Sequence, residues 1–369
     1  HGEDAIALRI LQALQQRPDP PEIVALPIVG EGQLYRQHGI PILGPVQAMP
    51  SGGFVYMDGR ELVRDLRGGL LKLTLAQLKA LRNWQRAAQP GDRVLAVGDI
   101  VPLLYAWWSG ADYAFVGTAK SDYYLRDEQG WLPRDSWLAR LENWSGSDYL
   151  PWERWLMGRP RCKAIFPRDS LTTARLRRWH LPVFDLGNPM MDGLEPTSRP
   201  WDWEAESQFD ADDQPQLTLV LLPGSRPPEA YENWQILLQA VSMLMIALGS
   251  RYRLLFLAAI APQLDRTPLQ RQLETGGWRL IQGVANPNLT NPNLTSPDLQ
   301  FEQYHGRLIL TSAFNGCLHQ ADLALAMAGT ATEQFVGLGK PAFSFAGAGP
   351  QFTPRFAEAQ TRLLGASVT

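Results

Sequence analysis

The chain has 369 residues, a formal net charge of −3 at pH 7 and two cysteines, Cys162 and Cys317. This length suits two domains of about 150 to 200 residues, and the nearly balanced charge argues against duplex nucleic acid as a partner. Two distant cysteines without metal-ligand spacing argue against a disulfide scaffold or a zinc site and indicate a reducing compartment, and no apolar run is long enough for a membrane span.

The first half of the chain predicts strands and helices in alternation, which is typical of a parallel sheet. A helix is predicted over 5–16, and because no strand precedes it we expect the natural chain to begin further upstream or the numbering to follow a removed segment. The polar and aromatic stretch 120–149 is expected to form a loop over the sheet. The predicted strands are 22–30, 41–43, 92–100, 111–116, 162–166 and 183–186, and the further helices are 62–68, 74–88, 152–157 and 170–179.

A break at Gly187-Asn188-Pro189, followed by a polar and acidic stretch, predicts a first domain over 1–187 and a second over 188–369. Residues 286–300 repeat a five-residue unit rich in Asn and Pro, and we expect a surface insertion without catalytic weight. A helix over 354–364 ends the chain where another strand would be natural, so the C-terminus is expected to be clipped. The strands predicted for this half are 217–222, 253–258, 278–281, 306–310, 323–326 and 341–344.

Two strand-turn-helix units in the second half predict an anion site. The apolar run 217–222 ends in Pro223-Gly224-Ser225-Arg226 before a helix, and a second apolar run ends in Gly329-Thr330-Ala331-Thr332 before another. Such turns present backbone N–H groups and a helix N-terminus to phosphate, and an Arg guanidinium adds a fork of donors. A single Gly-Ser turn serves equally to turn a corner, so the prediction depends on the pair.

These strings resemble a known family. LLPGSR at 221–226 with Glu229, AGTAT at 328–332 and Gly187-Asn188-Pro189-Met190-Met191-Asp192 are similar to motifs of lipid-A-disaccharide synthase. The start at Gly2-Glu3 resembles that family's first loop. The string at 349–360 is most similar to the lipid-A-disaccharide-synthase-related proteins of cyanobacteria.

The resemblance implies an α/β protein of the GT-B class, with two Rossmann-like domains whose parallel sheets face a central cleft. It implies an inverting hexosyltransferase that moves a sugar from a UDP-sugar to a lipid or amphiphilic acceptor, with no metal and no cofactor. Gly224, Ser225, Arg226 and the 329–332 turn would hold the diphosphate. The family's ribose-binding Glu falls on Gln334, with Glu333 one residue earlier, which leaves the nucleotide open.

Transfer to a hydroxyl requires a base. Asp99, after the strand 92–100, is the first candidate, and an Asp there also serves as a helix cap or Asx turn. His1 is the second candidate, and its alternative is a disordered terminal residue. Acceptor contacts are predicted for Gly2, Glu3, Trp107 and Trp108, although the Trp pair equally suits packing against the sheet.

Two other functions stay open at this stage. UDP-N-acetylglucosamine 2-epimerases share the architecture and carry a Gly-Asn-x-x-x-Asp string like 187–192, and a non-catalytic nucleotide-sugar-binding protein would suit the departures from the motifs. The expected location is the cytoplasm, with peripheral contact at the inner face of a membrane. The sequence leaves the sugar, the acceptor and the oligomeric state open.

Overall fold

The computed structural model describes residues 2–47, 68–126, 130–131, 144–196, 214–284, 298–304 and 306–345. The chain divides into two compact units, His1–Asp192 and Gly193–Thr369. The division falls a few residues after the predicted boundary at 187/188. The 3-10 turn Pro189–Met191 stays with unit 1 because Arg9 Nη1 donates to Met190 O over 2.5 Å.

Unit 1 contains a parallel sheet of three strands in the order β1-β2-β3, all of them predicted. The strands are β1 Arg93–Gly98, β2 Asp112–Gly117 and β3 Cys162–Phe166. The helices are α1 Gly2–Gln15, α2 Gln33–Gln37, α3 Leu70–Ala87, α4 Ile100–Trp108, α5 Pro151–Met157 and α6 Ser170–Leu176, with short 3-10 turns at Asp122–Tyr124 and Arg177–Trp179.

Three strands predicted for unit 1 are not regular strands. The segments 22–30 and 41–43 meet in the isolated bridge Ala25–Ile42, Gly30 forms a bridge with Gln47 beyond the second segment, and 183–186 contributes one bridge, Ile165–Val183. Proline explains the first pair, since Pro27 and Pro41 lack the N–H that a ladder needs. The helix predicted over 62–68 lies almost wholly outside the described residues.

The described parts of the stretch 120–149, residues 120–126, 130–131 and 144–149, do not form only the surface loop expected from its polarity. Asp122, Ser147 and Tyr149 in it are buried. Asp122 Oδ1 accepts from Ser147 Oγ (2.7 Å) and from Asp148 N (2.8 Å). Polar residues are buried here because they satisfy one another, which composition alone does not reveal.

Unit 2 contains a seven-stranded sheet in the order β10-β9-β4-β5-β8-β7-β6. Its first five strands are parallel, and β7 and β6 continue it in antiparallel pairing. The strands are β4 Gln216–Leu222, β5 Arg253–Ala259, β6 Arg279–Val284, β7 Asp298–Gln303, β8 Gly306–Thr311, β9 Leu323–Ala326 and β10 Ala342–Ser344. The helices are α7 Glu229–Leu248, α8 Thr267–Thr275, α9 Phe314–Gln320 and α10 Gly329–Gly337.

Strand β7 corrects the prediction for 286–300. Residues 285–297 lie outside the described part of the chain, but Asp298, Leu299 and Gln300 begin a strand of the sheet, and Asp298 and Gln300 are buried. Sequence reasoning missed β7 because its polar letters, DLQFEQ, follow directly on the Pro-rich repeat. The fold-class prediction is confirmed: the chain is α/β, with two Rossmann-like units that each contain a parallel sheet.

Candidate functional site

The two glycine turns lie side by side at the carboxyl edge of the unit 2 sheet. β4 and β9 are parallel neighbours with Leu222 opposite Ala326, so the turns that follow them leave the same edge. The N–H of Met327 also donates to Leu222 O over 2.8 Å. Helices α7 and α10 therefore both begin at this edge, with the positive ends of their dipoles near the two turns.

Asn233, in the second turn of α7, links the two turns. Its Nδ2 donates to Pro223 O (3.0 Å) and to Met327 O (3.4 Å). The side chain is buried, and among the described residues its Oδ1 has no hydrogen-bond partner. Sequence reasoning missed this residue, whose signal is an amide on a buried helix face that otherwise consists of Ala230, Trp234, Leu237 and Val241.

The backbone conformation at position 224 requires a glycine. Its φ is +99°, in the region that side chains other than glycine rarely adopt, and an added Cβ would lie 3.6 Å from Met327 O. The turn can therefore bring its backbone close to a ligand. The neighbouring Ser225 is exposed.

Arg226 is half-buried at the same turn. Burial lowers the pKa of its guanidinium below its usual range, while the charge of Glu229 acts in the opposite direction. Glu229 and Glu232 occupy the first turn of α7, whereas the first turn of α10 holds no acidic residue. Carboxylates at a helix N-terminus compete with a bound anion. The N-terminus of α10 is therefore better suited to bind an anion than that of α7.

The residues of α10 divide into two groups. Gly329, Thr330, Ala331 and Glu333 are partly open to solvent. Thr332 is buried, and its hydroxyl donates back to Ala328 O within the helix. Gln334 is also buried, which leaves Glu333 as the more accessible of the two side chains that the sequence comparison put forward for the ribose.

A pair of carboxylates lies at the carboxyl edge of the unit 1 sheet. β1 and β2 end with Gly98 opposite Gly117. Glu3, from the first turn of α1, reaches this edge, where Thr118 Oγ1 donates to its Oε1 over 3.3 Å. A Cβ added to Gly98 would lie 3.3 Å from the same oxygen. Glu3 thus lies beside the residue that follows β1, which is Asp99.

Glu3 has a strongly shifted pKa. Glu3 is an exposed residue, but desolvation of its carboxyl group at the strand ends raises the pKa of Glu3 to about 7, with the charge of Asp99 as the next cause. The hydrogen bond from Thr118 acts in the opposite direction. A carboxyl with a pKa near 7 exchanges protons readily at neutral pH, as a general acid or base must.

Asp99 has a structural task. It is the N-cap of α4, and its Oδ1 accepts from Val101 N over 2.9 Å. This is the alternative that the sequence left open for it. His1, the other base candidate, lies outside the described residues, and Gly2 begins α1.

Trp107 and Trp108 lie at the other end of α4. At about 1.5 Å per residue they are about 12 Å from the start of the helix. Trp107 contacts Trp155 of α5 edge to face, with ring centroids 5.6 Å apart, and Trp108 is exposed near Arg82 of α3. The pair is therefore not next to Asp99, despite its closeness in sequence.

Comparisons with known proteins add solved structures of similar architecture. No family model matches the chain, and no curated protein matches it. The chain is similar to UDP-GlcNAc 2-epimerase from Methanocaldococcus jannaschii (14% identity, 100% of this chain and 86% of that chain, TM-score 0.47). It is also similar to UDP-GlcNAc 2-epimerase from Neisseria meningitidis bound to UDP-GlcNAc (12% identity, 98% and 92%, TM-score 0.42).

A third similar structure is α,α-trehalose 6-phosphate synthase from Burkholderia multivorans (10% identity, 83% of this chain and 67% of that chain, TM-score 0.36). Identities of this size do not establish an activity. The fold class defined by the two sheets is that of two-unit Rossmann-like α/β proteins.

Proposed function

We propose that the chain binds a UDP-sugar at the paired turns of unit 2 and transfers the sugar to a hydroxyl group of a lipid or amphiphilic acceptor. The observation that carries the proposal is the adjacency of the turns after β4 and β9, which brings two helix N-termini and Arg226 to one sheet edge. This arrangement compensates the charge that develops on a departing diphosphate. Lipid-A-disaccharide synthase stays a resemblance of motifs.

In this proposal Gly224, Ser225, Gly329, Thr330 and Ala331 offer backbone N–H groups to the diphosphate. Arg226 supplies the charged donor, and Glu333 accepts from the ribose. Thr332 and Gln334 are assigned to packing beneath the turn, since both are buried.

The base is assigned to Glu3. It takes the proton of the acceptor hydroxyl as that oxygen forms its bond to the anomeric carbon, while the bond from this carbon to the diphosphate breaks and UDP leaves. Its pKa near neutrality suits the task better than the capping geometry of Asp99 does. Acceptor contact by Gly2, Trp107 and Trp108, and a role for His1, stay predictions.

Metal independence is also part of the proposal. Among the described residues no group of three or more His, Cys, Asp or Glu side chains is placed to hold a metal ion. The Asp-rich string at 210–213 lies outside the described residues. Full activity in a chelator is expected, and activity that depends on added Mn²⁺ would contradict this part.

A second candidate function is 2-epimerisation of a UDP-sugar. The string Gly187 to Asp192 favours it, since epimerases carry a similar one, and the similar solved structures named above include two UDP-GlcNAc 2-epimerases. In both reactions the bond between the anomeric carbon and the diphosphate breaks. They differ in whether an acceptor is consumed.

The experiment incubates the protein with UDP-GlcNAc or UDP-glucose, with and without a lipid extract as acceptor, and follows UDP and the sugar by NMR. UDP formation that requires the extract supports transfer. A 2-epimer formed without acceptor supports the second candidate. Glu3→Gln should lower kcat for transfer by about 10² to 10⁴-fold, whereas Asp99→Asn should retain activity.

A further inference from the structure

Unit 1 has an exposed surface rich in tryptophan, which we call the tryptophan surface. Tryptophan side chains are mostly buried in proteins, yet six described ones in unit 1 are more than a third exposed. Four of them make up the tryptophan surface: Trp144 at 79%, Trp152 at 57%, Trp155 at 47% and Trp179 at 38%. Four such rings on one surface need an explanation other than core packing.

Contacts show that these rings belong to one surface. Trp152 and Trp155 are three residues apart on α5, so they share its outer face, while Glu153, Leu156 and Met157 are buried on its inner face. Arg154, between the two rings, extends over the ring of Trp179 with its Cζ 3.8 Å from the centroid. The same guanidinium donates to Ser145 O over 2.8 Å, next to Trp144.

The segment that carries three of the four rings has an excess of basic residues. Between residues 151 and 180 the sequence has eight Arg and Lys against two acids, Glu153 and Asp169, and one of the eight, Lys163, pairs with Asp112 at 3.5 Å. Both acids are used inside the unit: Glu153 is buried and pairs with Lys120 at 2.6 Å, and Asp169 caps α6 and accepts from Ser121 Oγ.

Basic residues of this segment lie beside the rings. Arg177 and Arg178 are exposed and directly precede Trp179, and the guanidinium of Arg159 lies 4.0 Å from the ring centroid of Trp155. Indole rings next to cationic side chains match the headgroup region of a bilayer, where the rings lie among the carbonyl groups and the cations contact phosphate.

We propose that unit 1 docks on an anionic lipid bilayer through the tryptophan surface. This proposal does not depend on the transfer reaction. A second copy of the chain is a poorer occupant, because a twofold interface would bring Arg177 and Arg178 against the same charges of the other copy. A zwitterionic bilayer would satisfy the rings but not the arginines.

The test is co-sedimentation of the full chain with sonicated vesicles, either pure phosphatidylcholine or phosphatidylcholine with 30 mol% phosphatidylglycerol, at about 50 mM and about 300 mM salt. We expect binding to the anionic vesicles that weakens at the higher salt. Arg177→Glu/Arg178→Glu should lower the partition coefficient at least tenfold, since each basic residue near the surface contributes about fivefold. Trp152→Ala should lower it several-fold.

The matched control is Met243→Ala/Ile246→Ala on α7, which removes side chains that are 71% and 86% exposed in unit 2. This variant should bind as the parent does. Thermal unfolding of each variant checks that it folds. Absence of binding to anionic vesicles at low salt would overturn the proposal, as would equal loss in the control variant. Concentration-dependent dimerisation that Trp152→Ala abolishes would instead assign the surface to self-association.

Discussion

The hydroxyl of Thr118 donates a hydrogen bond to the Glu3 carboxylate over 3.3 Å, and this bond ties the start of α1 to the carboxyl end of β2. Further hydrogen bonds hold α1 in place, among them those from Tyr35 to Asp4 over 3.0 Å and from Arg9 to Met190 O. Glu3 is therefore fixed beside Asp99, and its raised pKa follows from that position.

The first prediction is a pH dependence. Because the base must be ionised, kcat/KM should rise with pH through about 7, the pKa of Glu3, and level off above it. Asp99→Asn should move this midpoint to lower pH, because the variant removes the negative charge that raises the pKa of Glu3. The asparagine keeps the cap on α4, since its Oδ1 can still accept from Val101 N.

The outcome separates the two carboxylates. If Asp99 is the base, Asp99→Asn loses activity at every pH, whereas Glu3→Gln retains it. A pH–rate profile of Asp99→Asn that coincides with that of the parent would show that the two charges are not coupled.

The second prediction concerns Gly98, whose φ is +128°. Gly98→Ala should cost roughly 1–2 kcal/mol of stability from the backbone alone and should also displace Glu3, because the new Cβ meets its carboxyl. Gly91→Ala is the matched control: its φ is +111°, but nothing lies within 4 Å of the added atom. Urea unfolding should show a loss in both variants, and only Gly98→Ala should change the pH–rate profile. A changed profile in both would attribute the effect to the backbone.

A third prediction concerns stability at different pH values. Burial raises the pKa of Asp148 to about 7, against the opposing charge of Lys120. The folded state then holds a proton that the unfolded state has already released, so this group lowers the free energy of unfolding as pH rises from about 4 to about 7.

The urea midpoint of Asp148→Asn is compared with that of the parent at the same pH. The difference, variant minus parent, should be larger at pH 8 than at pH 4. The amide Oδ1 can still accept from Ser121 N, as the carboxylate does over 3.2 Å. Asp19→Asn, at an exposed position, is the control and should show no such pH-dependent difference. A constant offset between Asp148→Asn and the parent would mean that the two states of the chain bind equal numbers of protons at this position.

The fourth prediction concerns Glu229, the neighbour of Arg226. Its carboxylate lies in the first turn of α7 and attracts the guanidinium that the proposal assigns to phosphate. Glu229→Gln should therefore strengthen UDP binding, measured by calorimetry, while Glu232→Gln in the same turn serves as the control for dipole effects. Equal gains in both variants would indicate a general effect of charge at the helix N-terminus.

Strands with continuous apolar runs were predictable, because a buried parallel strand leaves a clear sequence signal. β5, with the run LLFLAA, and β9 are examples. The strand at 22–30 failed because Pro27 interrupts its ladder, and β7 was missed because its alternating polar residues follow a Pro-rich repeat. Local sequence shows the proline in 22–30 but does not indicate which strands pair.

The paired turns of the candidate site could be predicted, since each is a local string at the end of an apolar run. The role of Asn233 could not, because it depends on two carbonyl groups from Pro223 and Met327. The pKa of Glu3 is likewise a property of Gly98, Asp99 and Thr118, which are distant in the chain. Position in the fold, not residue type, distinguishes Glu3 from the other acids.

The most direct test of the central claim, that the paired turns of unit 2 hold a diphosphate, is calorimetric titration with UDP and with uridine. UDP should bind more tightly than uridine, and Arg226→Ala should weaken UDP binding by about 1.5–3 kcal/mol, the range for a hydrogen bond to a charged group, while leaving uridine unaffected. Equal affinity for UDP and uridine, or UDP binding that Arg226→Ala leaves unchanged in a folded variant, would contradict the account.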